Sequence, residues 1–91
     1  MNSGFQMFDT HTHVGAARHS GRSLRTEQLL ASVDRFGVDR TVVIPFSVVG
    51  DYRSTHDEIG RAVAAYPERL VGAACIDPFI PEQAFRDEVR R

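Results

Sequence analysis

The feature that most constrains this chain is a threefold alternation: a short apolar segment, then a stripe of apolar residues at helical spacing, recurring roughly every 30 residues. Residues 5–9 are the first apolar segment, and 15–23 are small, polar and basic, a loop. Thr26 is placed to cap a helix with Glu27 in its first turn, and Leu29, Leu30, Val33 and Phe36 recur at helical spacing. Gly37 supplies the left-handed position on which helices commonly end. Residues 38–46 hold a β-branched run, 41–44, apolar on both faces as buried parallel strands are. Pro45 cannot donate to a ladder and belongs at that strand's end. After a second loop, 47–54, Thr55 and Glu58 have capping-box spacing. Ile59, Ala62, Val63 and Tyr66 make the next stripe, which Pro67 stops. Residues 70–76 are a third apolar strand, and Asp77-Pro78 turns the chain. Pro81 suits the first position of a third helix, with Glu82 behind it and Ala84, Phe85 and Val89 as its inner face.

Strands separated by helices imply parallel pairing through right-handed crossovers. A closed barrel of eight such units needs ~250 residues, so 91 residues hold about three. The expected fold is therefore α/β: the N-terminal βαβαβα portion of a TIM (β/α)8 barrel, a single incomplete domain over residues 1–91. The third helical pattern still runs at Arg91, and three parallel strands alone would leave both sheet edges open. The chain reads as the front of a larger protein.

Composition excludes several function classes. At 42% hydrophobic, 25% charged and net charge -1, the chain has no electrostatic footprint for nucleic acid or an anionic membrane. Its apolar runs are far shorter than the ~20 residues that span a bilayer, and residues 1–6 lack the basic and apolar regions of a secretory leader. Cys75 is the one cysteine, so no intramolecular disulfide forms and a cytoplasmic setting fits. It is expected as a small buried hydrophobe.

Chemistry concentrates in Phe8-Asp9-Thr10-His11-Thr12-His13. In an extended chain residues two apart share a face, so the imidazoles of His11 and His13 can converge on one divalent ion, most readily Zn2+. They follow the first apolar segment, at the C-terminal end of its strand, where (β/α) barrels place their active sites. Asp9 could orient a ligand or tie down the strand end through hydrogen bonds. His19 lies with Arg18, Arg22 and Arg25 in a basic loop, which could attract a carboxylate-bearing small-molecule substrate or be simply solvated. Arg53, in the second loop, and His56, near the second helix start, read either as pocket residues or as surface groups. Asp77 could face the barrel mouth or serve as a turn former before Pro78.

Four stretches together resemble the N-terminal part of the amidohydrolase superfamily. The resemblance is specifically to the amidohydrolase-2 branch, which includes aminocarboxymuconate-semialdehyde decarboxylase-like enzymes. The stretches are the His11/His13 segment; Phe36-Gly37-Val38-Asp39-Arg40 with Val42-Val43-Ile44-Pro45; Tyr66-Pro67-Glu68-Arg69-Leu70-Val71-Gly72; and Ile76-Asp77-Pro78 with Pro81-Glu82. The resemblance implies a zinc-type metal held partly by His11 and His13. It implies hydrolysis of an amide, ester or lactone, or alternatively decarboxylation, by metal-activated water or a metal-polarised substrate. The family's remaining ligands and its acid/base Asp come from strands beyond residue 91, so the catalytic residue is unassigned here and the segment is expected to be inactive alone. Two other readings stay open: a metal-dependent nuclease or phosphoesterase that also opens on an HxH strand, and a non-catalytic barrel fragment, homo-oligomeric or completed by another chain.

Overall fold

A computed structural model of the chain describes residues 6–16, 22–46 and 51–91. The elements run β1 (Phe8–Ala16), β2 (Ser23–Leu24), α1 (Thr26–Arg35), β3 (Arg40–Pro45), α2 (Tyr52–Ala65), β4 (Leu70–Gly72) and α3 (Glu82–Arg90). β1, β3 and β4 are parallel neighbours in chain order, with a helix in each connection. β2 adds antiparallel to the far end of β1, giving a four-stranded sheet ordered β2-β1-β3-β4.

Register decides which face is covered. Thr12 pairs with Val43, Val14 with Pro45, and Thr41 with both Asp9 and Leu70. Val14, Val43 and Leu70 therefore point the same way, and they join Leu29, Leu30 and Val33 of α1 and Ile59 and Ala62 of α2 in one core. Each Val, Leu or Ile among them contributes about 1.5–3 kcal/mol by leaving water. Val42, Ile44 and Val71 alternate with them onto the other face and are only half-buried. α2 approaches β4 closely at Gly72, where a Cβ would meet the Ile59 and Val63 methyls at 3.0 and 3.2 Å.

The ends of the elements explain several of the sequence stretches. Gly37, at φ 70°, closes α1: its N–H donates to the Asp34 carbonyl and the Val38 N–H to the Val33 carbonyl. This is the Schellman pattern. Arg69 then joins three elements at the N-terminal end of the sheet, donating to the Asp39 carbonyl (2.8 Å), the Val38 carbonyl (3.3 Å) and the Asp34 carboxylate (2.5 Å). The Asp39 carboxylate accepts from the Met7 N–H at 2.7 Å.

The structure corrects several expected boundaries. β1 runs from Phe8 to Ala16, past the expected end at Asp9, so the histidines lie inside it, and Gly15, Ala16 and Ser23, expected as loop, pair in a short ladder with Leu24. α1 begins at Thr26 with Arg25 at the cap position, where Gln28 accepts its N–H. α2 begins at Tyr52, not near Thr55, because the Asp51 carboxylate accepts the Ser54 N–H one turn earlier. The Thr55 hydroxyl donates back to the Asp51 carbonyl instead. Phe36 is 68% exposed, since α1 has ended before it, and Tyr66 lies just past the end of α2.

The third strand stops at Gly72. Its last link to the sheet is the Ala73 N–H to the Val43 carbonyl. With no strand to hold it between sheet and helix, Cys75 is exposed rather than buried. Pro81 stands at the cap of α3 rather than inside it, and the buried residue of α3 is Glu88, while Val89 is exposed. Among the described residues no helix is long and apolar enough to cross a membrane.

Candidate metal centre

β1 departs from an even ladder at the histidines. Asp9 is opposite Thr41 and Thr12 opposite Val43, so β1 advances three residues where β3 advances two. The extra residue is a bulge at Thr10–His11. Beyond it Thr12 turns inward, its hydroxyl donating to the Val42 carbonyl (2.7 Å) and lying 2.9 Å from the Thr41 hydroxyl. His13, beside Ile44, turns to the open face.

The two imidazoles meet there. His11 Nε2 and His13 Nε2 are 3.1 Å apart, with the ring planes 71° from each other. Two nitrogens on one tetrahedral zinc, each bonded at 2.0–2.1 Å, stand about 3.3 Å apart. His13 is oriented from behind. Its Nδ1 lies 2.8 Å from the Ile44 carbonyl, which can only accept, so Nδ1 carries the hydrogen and Nε2 presents its lone pair. Phe46 stacks on the same ring, 4.8 Å between centroids and 17° from parallel. Asp9 accepts the His11 N–H at 3.0 Å. Imidazole nitrogens are a donor type that a borderline-soft divalent ion takes, and this pair could supply two ligands. Among the described residues no group of three His, Cys, Asp or Glu side chains could hold a metal.

The other candidates fall elsewhere. His19 and Arg18 lie outside the described residues. Arg53 and His56 are brought together by Glu88, whose side chain is 4% exposed. His56 Nε2 accepts the Cys75 N–H at 3.0 Å, which leaves Nδ1 to donate to Glu88 at 2.6 Å. Arg53 Nε is 3.8 Å from the same carboxylate. Arg91 donates to it from Nε and Nη2, each at 2.8 Å, and also binds Asp57 and the Arg53 carbonyl. The Arg91 hydrogen bond lowers the Glu88 pKa most, burial opposes it and His56 adds to it, and the result is about 2. Asp77 accepts the Phe79 N–H at 2.8 Å, the bond of a turn former.

Sequence reasoning missed the Ile44 carbonyl, Phe46 and Glu88. The first is a backbone group and carries no residue signal. Phe46 follows a strand-ending proline with nothing to mark it as a ring partner. Glu88 sits in a helix whose apolar stripe pointed elsewhere.

No protein-family model matches the chain, and no curated protein matches it. Among solved structures, the chain is similar to a probable 2-pyrone-4,6-dicarboxylic acid hydrolase from Acinetobacter baumannii, crystallised with citric acid bound. The TM-score is 0.62 at 18% identity, over 94% of this chain and 34% of the other. At that identity the likeness is one of fold. The chain spans about a third of the length of that structure.

Proposed function

We propose that this chain is the N-terminal part of a metal-dependent hydrolase of the amidohydrolase-2 type, and that His11 and His13 contribute two ligands to its divalent ion, most readily zinc. The observation that carries this reading is the pair of Nε2 atoms 3.1 Å apart, with His13 held by the Ile44 carbonyl so that its Nε2 lone pair faces the partner ring. Parallel strands in chain order, with α1 and α2 over one face, support reading the chain as the start of a (β/α) barrel, and the histidines lie toward the C-terminal end of the β1–β3 pairing. The bound ion supplies an activated water or a polarised carbonyl. This chain's own residues orient the two imidazoles and keep their Nε2 atoms facing one point.

Hydrolysis is favoured over decarboxylation on the same scaffold because the structural neighbour is a probable hydrolase. Its named substrate is a lactone with two carboxylates and its bound molecule is also a polycarboxylate, which supports a carboxylate-bearing small molecule as substrate here. Zinc titration by calorimetry tests the metal reading. The expected result is one zinc per chain, with affinity reduced about tenfold or more in both His11→Ala and His13→Ala. Equal affinity in all three proteins would remove the reading.

A further inference from the structure

We infer that Asp9 is the positioning residue of this centre, acting on His11 through the backbone of the β1 bulge rather than as a ligand; the inference rests on the metal reading above. Below the bulge, Asp9 pairs with Thr41. Continuing that register evenly would set His11 beside Val43 and His13 beside Pro45. Val43 is fully buried and Pro45 buried, on the face that α1 and α2 cover. A slip of one residue exchanges the two faces of a strand. Without the extra residue both imidazoles would be pressed into an aliphatic core, and Val14, 1% exposed, would be turned out of it. The site exists on the open face because of the bulge.

A bulge leaves one amide without a ladder partner. Here the His11 N–H donates to the Asp9 carboxylate at 3.0 Å. The two rings are held differently. His13 is fixed by the Ile44 carbonyl and the Phe46 ring, and the strand beyond the bulge by the Thr12 hydroxyl. For His11 the described contacts are its backbone bond to Asp9 and its ring contact with His13. Removing the Asp9 acceptor therefore loosens one ligand of the pair and spares the other.

The test uses the 91-residue chain with Asp9→Ala and Asp9→Asn, the amide oxygen of Asn being able to accept the same N–H. Without metal, hydrogen exchange at the His11 amide is expected to speed up about tenfold in Asp9→Ala and to return to the wild-type rate in Asp9→Asn. With zinc, calorimetry is expected to show a loss of about tenfold or more for Asp9→Ala and recovery for Asp9→Asn. A wild-type His11 amide exchanging at the rate of an unprotected chain overturns the inference. So does an Asp9→Asn protein that recovers neither readout. A wild-type chain that binds no zinc overturns the metal reading, while the exchange measurement still decides whether Asp9 holds the bulge.

Discussion

Arg69 bridges the beginnings of two strands and the end of a helix with one planar fork. Its Nε and Nη2 reach the carbonyls of Asp39 and Val38 and the carboxylate of Asp34. A lysine ammonium is a point donor and cannot span those three acceptors. Arg69→Lys is expected to destabilise the fold by about 1–2 kcal/mol, read as a lower denaturant midpoint at unchanged slope. A midpoint equal to wild type would show that the fork is dispensable. At this scale the sequence was legible for residue types and blind to partners. Asp39 and Arg69 stood in stretches that carried the family resemblance, but their bonds to Met7 and Asp34 cross about 30 positions of chain. Cys75 misled for a related reason. Its apolar neighbours suggested burial, whereas its fate depended on where β4 leaves the sheet.

Among the elements, α1 and β3 were legible because hydrophobic period and end signals agreed: the apolar positions Leu29, Leu30 and Val33 are buried, and Gly37 takes the left-handed turn. β1 was not, because a bulge breaks its alternation and its open face carries histidines, so Thr10 to His13 read as the exit from a strand. α3 was misjudged by one position on its face. Its most buried residue is Glu88, which looks like a solvent residue until His56, Arg53 and Arg91 are seen around it. That cluster makes the hold on α3 dependent on acid. The folded pKa of Glu88 is lowered from an ordinary 4.5 to about 2. A lowered carboxylate pKa stabilises above the unfolded value, and that contribution is lost as pH falls from about 4.5 toward 2. Protection of the α3 amides, taken against intrinsic exchange at each pH, should fall over that interval, and Glu88→Gln should flatten its acid dependence. The same acid slope in Glu88→Gln and wild type would assign the loss to other carboxylates.

At the scale of the molecule, the proposed centre has two imidazoles on the open face of a four-stranded sheet. Catalytic zinc usually takes three protein ligands and a water. Assayed by itself with added zinc against lactones, esters, amides and enol acids, the 91-residue chain is therefore expected to show neither hydrolysis nor decarboxylation. Metal-dependent turnover abolished by His11→Ala would refute that. The unit order was readable from sequence because helix and strand periods alternate so regularly. Which face the histidines would take was not readable, since a single extra residue decides it.

The most direct test of the central claim is the imidazole nitrogen spectrum of the 15N-labelled chain, recorded before and after one equivalent of zinc. The account predicts that Nε2 of His11 and Nε2 of His13 move together on zinc addition, while Nδ1 of His13 keeps its hydrogen on the Ile44 carbonyl. A response at His56 alone, or at only one of the pair, would contradict it.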